Sequence, residues 1–245
     1  MRIKLTYLLL FSLLASSCID KEGGESTGSK KNDEEEKAVV KKYYNEGKLV
    51  KEVTFKYGIR NGICRNYYSD GKLKRTIWYE NGRKEDTAKW FYREGMVYRA
   101  TPYSSNKIHG VQTKYYKNGR VQATLPYKNG LRMQGLREYL PDGRDEGGYP
   151  EIDYMIKDAS NEDPPVIKII TRLTNESVNV KFFRGRLVDG VFDPAKCTDI
   201  TTSSCMGYLE LSEDYIRDRS HVNIIAVYAT RFRNRKIITK RIPLP

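Results

Sequence analysis

Few side chains in this sequence are spaced for covalent chemistry. His109, in "NKIHG", and His221, after "RDRS", each stand without a carboxylate or nucleophile at a recognisable interval. Ser204-Cys205 and the acidic "EDPP" are equally isolated, and Glu85-Asp86 falls in turn-forming sequence, where solvated charge is ordinary. No phosphate-cradling glycine loop, nucleophile elbow or metalloprotease helix motif occurs. Cys197 and Cys205 bracket the polar stretch "TDITTSS". Their spacing matches no zinc site, so the pair reads as a disulfide that would pin a loop in an oxidising compartment. Cys64 shares its column with Ala88, Gln112 and Leu136, which suits a small filler residue better than a reactive thiol. The expectation is a protein that is not an enzyme and holds no metal or cofactor.

What does recur is positive charge beside tyrosine. Residues 41–145 carry 23 Lys/Arg against 10 Asp/Glu, a surplus equal to the +13 of the whole chain. Lys48, Lys72 and Arg120 each follow a turn glycine, with Met96 in the remaining slot. Together with Lys74, Trp78, Tyr68, Tyr92 and Tyr116 they form the candidate binding surface, suited to an anionic partner whose encounter it would hasten. Lysine also keeps long β-surfaces soluble, so charge density alone defines no pocket.

The elements that position these residues repeat. Gly47, Gly71, Gly95, Gly119 and Gly143 lie 24 residues apart. The same period carries Tyr43-Tyr44, Tyr67-Tyr68, Phe91-Tyr92 and Tyr115-Tyr116, then Phe55, Tyr79, Tyr103 and Tyr127. A second turn column reads Gly58, Gly82, Asn106 and Gly130, and a third reads Gly62, Asp86, Gly110 and Gln134. Asn is the next-best residue for a left-handed backbone, so Asn106 keeps the pattern. The turn signals "SDG", "ENG", "KNG" and "PDG" are those of two-residue hairpin loops. Between them "KLKRTIWY" alternates, with Leu73, Ile77 and Tyr79 on one face and Lys74, Thr76 and Trp78 on the other. Leu49/Val53/Phe55, Val97/Thr101/Tyr103 and Val121/Leu125/Tyr127 are the equivalent inward sets. Pro102 and Pro126 share a column that should end or bend its strand. The expected fold is all-β: an elongated antiparallel meander of hairpin repeats over residues 41–147. After it, "VIKIITRL", "VNVKFF", "GYLEL", "HVNIIAVYAT" and "KIITKRIPL" read as strands of a small immunoglobulin-like β-sandwich over 148–245.

"YYSDGKLKRTIWYENGRKED" and "YYKNGRVQATLPYKNGLRMQG" resemble the MORN-repeat variant, whose core runs Tyr-Tyr-x-x-Gly-Lys-Leu and then aromatic-x-x-Gly-x-x-x-Gly. The third unit, "REGMVYRATPYSSNKIHG", departs most from that pattern. The resemblance implies repeat sheets that bind or scaffold. Bacterial chains rich in such units carry a YwqK-type antitoxin-like label, which makes an immunity protein that neutralises a toxin by direct binding the alternative function.

The N-terminus bears on the compartment. "MRIK" is followed by the apolar "LTYLLLFSLLA", of signal-peptide length and too short to span a bilayer. "LLASSC" resembles the lipobox of bacterial lipoproteins, which implies a leader over 1–17 and lipidation of Cys18. "DKE" just beyond resembles the surface-export signals of Bacteroidetes lipoproteins. Residues 18–40 are polar and without aromatics, a flexible tether by composition. The resulting expectation is a lipid-anchored envelope protein at the outer membrane, with an unknown protein or anionic envelope polymer as partner. Nucleic acid matches the sign of the charge but not the compartment.

Overall fold

A computed structural model of the chain describes residues 37–159, 161, 163, 165–175 and 179–245. The apolar leader, the "LLASSC" segment and Cys18 lie outside the described residues. Two antiparallel sheets dominate the described residues. The first contains β1 (Val39–Asn45), β2 (Lys48–Lys56), β3 (Ile59–Tyr67), β4 (Leu73–Glu80), β5 (Arg83–Phe91) and β6 (Val97–Ser104). It continues through β7 (Lys107–Ile108), β8 (Gly110–Tyr115), β9 (Val121–Lys128), β10 (Leu131–Arg132) and β11 (Arg137–Glu138). Strands follow in chain order across the sheet, with β7 beside β6 and β11 beside β9. This is the meander expected of the repeats.

Its core is a narrow row on one face. Val53, Cys64, Ile77, Ala88, Leu125 and Leu136 are buried, and Thr101 and Gln112 continue the row through a hydrogen bond of 2.9 Å from Gln112 Nε2 to Thr101 Oγ1. The row lies beside rows of longer side chains, whose aliphatic stems and rings shield it without a second layer. Cys64 is therefore a filler, and burial pushes its thiol pKa up despite the lowering pull of Lys51, Arg75 and Arg60.

The two Asn-Gly pairs of the fourth unit do different things. Asn129 and Gly130 both take left-handed backbone, with φ of 52° and 88°, and form a two-residue loop. Asn118 stays outside that region, while Gly119 enters it at φ 82°. Gly119 N donates to Tyr116 O, Tyr116 N donates to Arg120 O, and Asn118 Oδ1 accepts from Arg120 N. The same longer turn recurs at Gly71, Gly95 and Gly143. The expectation of two-residue loops thus holds at "ENG" and fails at "SDG" and "PDG", where a single left-handed glycine closes a wider turn. Asn106, at φ 70°, does take the glycine's place.

Pro102 and Pro126 do not end their strands, which run on to Ser104 and Lys128. Pro102 O accepts from His109 N and Pro126 O from Met133 N, so each missing donor faces a break in the neighbouring strand. No regular ladder bond is lost there. Gly110, at φ 103°, sits in the first break because a Cβ would lie 3.2 Å from Pro102 Cγ.

The second sheet comprises β12 (Ile152–Ala159), β13 (Val166–Leu173), β14 (Val180–Arg184), β15 (Thr198–Ser203), β16 (Met206–Ser212), β17 (His221–Ala229) and β18 (Arg235–Pro243). Its order is β12-β13-β16-β15-β14-β17-β18. This sheet curls around a main core that includes Ile169, Phe182, Leu211, Ile224 and Ile242, and a smaller cluster of Phe183, Ile225, Val227 and Ile237 lies on its other face. β15 is the corner: its first half pairs with β14 and its second with β16.

That corner also overturns the disulfide. The "TDITTSS" stretch is an extended strand, and six residues at about 3.3 Å each put Cys197 and Cys205 far beyond the ~7 Å Cα limit of a bridge. Both thiols are free, Cys197 against Phe183 and Ile225, Cys205 against the main core and at φ 65° in the β15–β16 turn.

The two sheets meet around a buried carboxylate. Glu138, in β11, has no exposed surface and accepts from Tyr149 Oη, Thr230 Oγ1 and Asn234 Nδ2. Asn234 in turn accepts from Lys114 Nζ of β8. Lys236 Nζ donates to Leu136 O at 3.0 Å and lies 3.4 Å from the Tyr149 ring centroid. Burial pulls the Lys114 and Lys236 pKa values down, Arg99 adds to the effect on Lys114, and Glu138 opposes it at both. Nearby, Arg231 pairs with Glu146. At the end of the array a second-half segment covers the open edge: Met133 bridges Val191, and Phe192 N donates to Arg132 O at 2.9 Å.

Candidate binding face

Strand register places the charged and aromatic residues. Tyr43 opposes Lys51, Lys51 opposes Asn66, Asn66 opposes Arg75, Arg75 opposes Trp90, and Trp90 opposes Arg99. Arg99 opposes Lys114, Lys114 opposes Ala123, and Ala123 opposes Glu138. Directly paired residues share a face, so this is one straight row across the sheet, beside the core row and on the same side. A bulge in each unit shifts the register at Val50, Lys74 and Tyr98. The extra residue in a bulge turns its side chain toward the neighbour's face.

Together they line a cavity of about 510 Å³ bounded by Tyr43, Lys51, Asn66, Lys74, Arg75, Trp90 and Tyr98. Arg75 Nε donates to Asn66 Oδ1 at 2.9 Å, and the Arg99 guanidinium stacks 4.0 Å from the Trp90 centroid. Arg99 Nε is buried and has no hydrogen-bond partner. No carboxylate among the described residues pairs with Lys51, Lys74, Arg75 or Arg99. A second set of cations on this face lies over the aromatic column: Arg60 over Tyr79, Lys84 over Tyr103 and Arg132 over Tyr127.

The eight residues singled out in the sequence do not come together. Lys74 joins the row, because the bulge reverses the face that simple alternation assigns it. Trp78 lies on the opposite face, 45% exposed, paired with Ile63 and Glu85. Tyr68, Tyr92 and Tyr116 are structural clamps: each hydroxyl donates to a carbonyl one repeat on, at Phe91, Tyr115 and Tyr139, over 2.7, 2.9 and 2.7 Å. Lys48 and Lys72 stand at the turns, and Arg120 Nη1 is taken by the Pro141 and Asp142 carbonyls. The turn edge is further neutralised by Arg93–Asp70 and Lys117–Glu94 pairs of 2.8 and 3.0 Å. These partners hold the Asp70 and Glu94 carboxyls below their usual range, with the Lys72 backbone N–H leading at Asp70 and the Lys117 hydrogen bond at Glu94.

Profile comparison matches the family described as the MORN repeat variant at residues 38–57, 60–81 and 108–129. These are MORN-variant repeats. The unmatched stretch between the second and third segments is built the same way, since Tyr92 makes the same turn and the same clamp. MORN-variant geometry thus extends through the divergent third unit. No curated protein and no solved structure matches the chain. Among the described residues no group of three or more His, Cys, Asp or Glu side chains could hold a metal. His109 Nδ1 lies 3.0 Å from Asn129 Oδ1, and His221 Nδ1 accepts from Arg241 Nη2 at 3.1 Å.

On the opposite face, Tyr67 Oη donates to Glu52 Oε2 at 2.6 Å, and Lys42 and Arg65 also approach Glu52. Burial and then the Glu52 hydrogen bond push the Tyr67 pKa up to about 12. Between ~10, where tyrosine ionises in an unfolded chain, and about 12, the folded state keeps a proton the unfolded state has lost. Stability therefore falls as pH rises through that window. Urea midpoints measured from pH 9 to 12 should show the fall, and Tyr67→Phe should make it shallower; an unchanged slope contradicts the assignment.

Proposed function

We propose that the chain is a non-enzymatic binding protein whose repeat sheet takes up an anionic partner, a protein or an envelope polymer, on the face carrying Lys51, Arg75 and Arg99. One observation supports this above the others. Half-buried Lys51, Arg75 and Arg99 stand in register with no carboxylate paired to them, and Arg99 directly opposes Lys114, whose own ammonium is turned to Asn234 at the junction. Like charges directly across strands destabilise a sheet. A sheet selected only for stability and solubility would place carboxylates among them, as its turn edge does; an anionic partner supplies the missing charge. The lipidated Cys18 and the polar segment after it hold this face at the bacterial outer membrane, and the second sheet acts as a spacer or second module.

Capture of partners from detergent-solubilised envelope tests the binding. Retention at 50 mM salt and release at 1 M are expected, because the Debye length shrinks from above 10 Å to about 3 Å over that range. Retention unaffected by salt overturns the reading. Cys18→Ala should move the protein out of the membrane fraction, and a variant that still sediments with membranes removes the anchor.

A further inference from the structure

The geometry points to a more definite ligand for this face: an acidic polysaccharide with one carboxylate per disaccharide, laid across the strands along the row. The inference rests on the binding face proposed above and adds the chemistry of the ligand. Along the row cations alternate with uncharged groups: Lys51, Asn66, Arg75, Trp90, Arg99. Adjacent positions are one strand spacing apart, about 4.8 Å, so the backbone positions that carry the cations recur at about 10 Å. In an extended β-linked polysaccharide one sugar is about as long as one such spacing and a disaccharide as long as two. A chain alternating uronate and neutral sugar therefore sets each carboxylate over a cation and each neutral sugar over Asn66 or Trp90.

The intervening residues suit that role. The Asn66 carbonyl oxygen is occupied by Arg75, which leaves its amide N–H groups to donate to a sugar hydroxyl. The bulged Tyr98, with the part of Trp90 that Arg99 leaves uncovered, gives aromatic surface for the apolar side of a pyranose, and the cavity of about 510 Å³ sits over this stretch. The buried, unpartnered Arg99 Nε is a donor for which a carboxylate is the natural acceptor. Other polyanions fit less well. An extended acidic peptide repeats its side chains on one face every ~7 Å, out of step with the row. A polymer charged on every sugar would set carboxylates over Trp90. The row also has an end, because beyond Lys114 come Ala123 and the buried Glu138. From Lys51 to Arg99, the part whose cations the junction does not take up, it spans four strand spacings, about 19 Å, which an oligomer of five to six sugars covers.

Calorimetric titration of the chain with hyaluronate oligosaccharides of two to ten sugars tests this, with β-1,4-polyglucuronate oligomers of equal length as the fully charged control. Hyaluronate affinity should rise with length to about six sugars and then level off. Polyglucuronate should bind at least tenfold more weakly. Arg75→Glu should weaken hyaluronate binding at least tenfold, while Lys72→Glu, at the turn, should leave it unchanged. Equal binding of both polymers overturns the inference. So does absence of hyaluronate binding when the chain still captures an envelope protein in a manner sensitive to Arg75→Glu; the binding face then stands with a protein partner. If neither sugar nor envelope component is bound, the face reading fails as well.

Discussion

Replacing Glu138 by alanine is expected to destabilise the protein by about 3–5 kcal/mol, the cost of removing one member of a buried charged cluster. Glu138 is fully buried and accepts from three side chains, two of them, Thr230 and Asn234, on the β17–β18 turn. Its removal leaves those donors without an acceptor and deprives Lys114 and Lys236 of the carboxylate that offsets their desolvation. The repeats join the second half through this cluster, the Arg231–Glu146 pair and the edge contacts of Arg132 and Met133 with Phe192 and Val191, so loss of the cluster should also weaken cooperativity between the two parts. Urea unfolding followed by tryptophan fluorescence reports the repeats, which hold Trp78 and Trp90, and circular dichroism reports the whole chain. Coincident transitions in the parent should separate in Glu138→Ala. A change below about 1 kcal/mol with transitions still coincident would mean that the cluster does not join the sheets. Glu138→Gln keeps an acceptor and should fall between the two.

The double substitution Arg75→Glu/Arg99→Glu should reduce capture of the envelope partner by on the order of 100-fold. Each arginine contributes at least one hydrogen bond to a charged group, about 1.5 kcal/mol, and two such losses amount to about 3 kcal/mol. Repulsion between the introduced carboxylates and the partner enlarges the effect. The fold should tolerate the change, since the new carboxylates stand across the strands from Asn66, Trp90 and Lys114 and replace like-charge contacts with opposite ones. Capture is measured at 50 mM salt, and unfolding midpoints of both proteins confirm that folding is unaffected. A loss smaller than threefold with the fold intact would remove these arginines from the interface.

The repeat sheet was legible because its information is periodic. A 24-residue spacing of turn glycines and aromatics specifies both the hairpins and their neighbours, and simple alternation assigns Val53, Ile77 and Tyr127 correctly to the core. The site was less legible because it depends on where that alternation breaks. The bulge at Lys74 leaves no mark in composition, yet it carries the side chain to the other face and separates it from Trp78. The row itself could have been found: Lys51, Arg75 and Arg99 repeat at the same interval as the glycines. Their parity places them with the core residues, where charge is least expected. The recurrent tyrosines misled for a related reason. A phenol that clamps the next repeat must recur with the repeat, so periodicity alone does not distinguish a clamp from a contact.

In the second half, β15 leaves little trace in the sequence because only Ile200 of its six residues is buried, so "TDITTS" has almost no apolar alternation. The disulfide inference failed with it, since the two cysteines stand at opposite ends of a strand rather than around a loop. The junction at Glu138 was equally hidden. One glutamate in a truncated last repeat looks like any surface carboxylate until the fold brings Thr230 and Asn234 to it.

The most direct measurement is amine protection by mass spectrometry, in which the chain is acetylated alone and again after capture of its envelope partner. Lys51 and Lys74 are expected to lose reactivity in the complex, while Lys48 and Lys72 at the turns and Lys89 on the opposite face keep theirs. Protection of Lys48, Lys72 or Lys89 with Lys51 and Lys74 still reactive would contradict the assignment of the cationic row as the binding face.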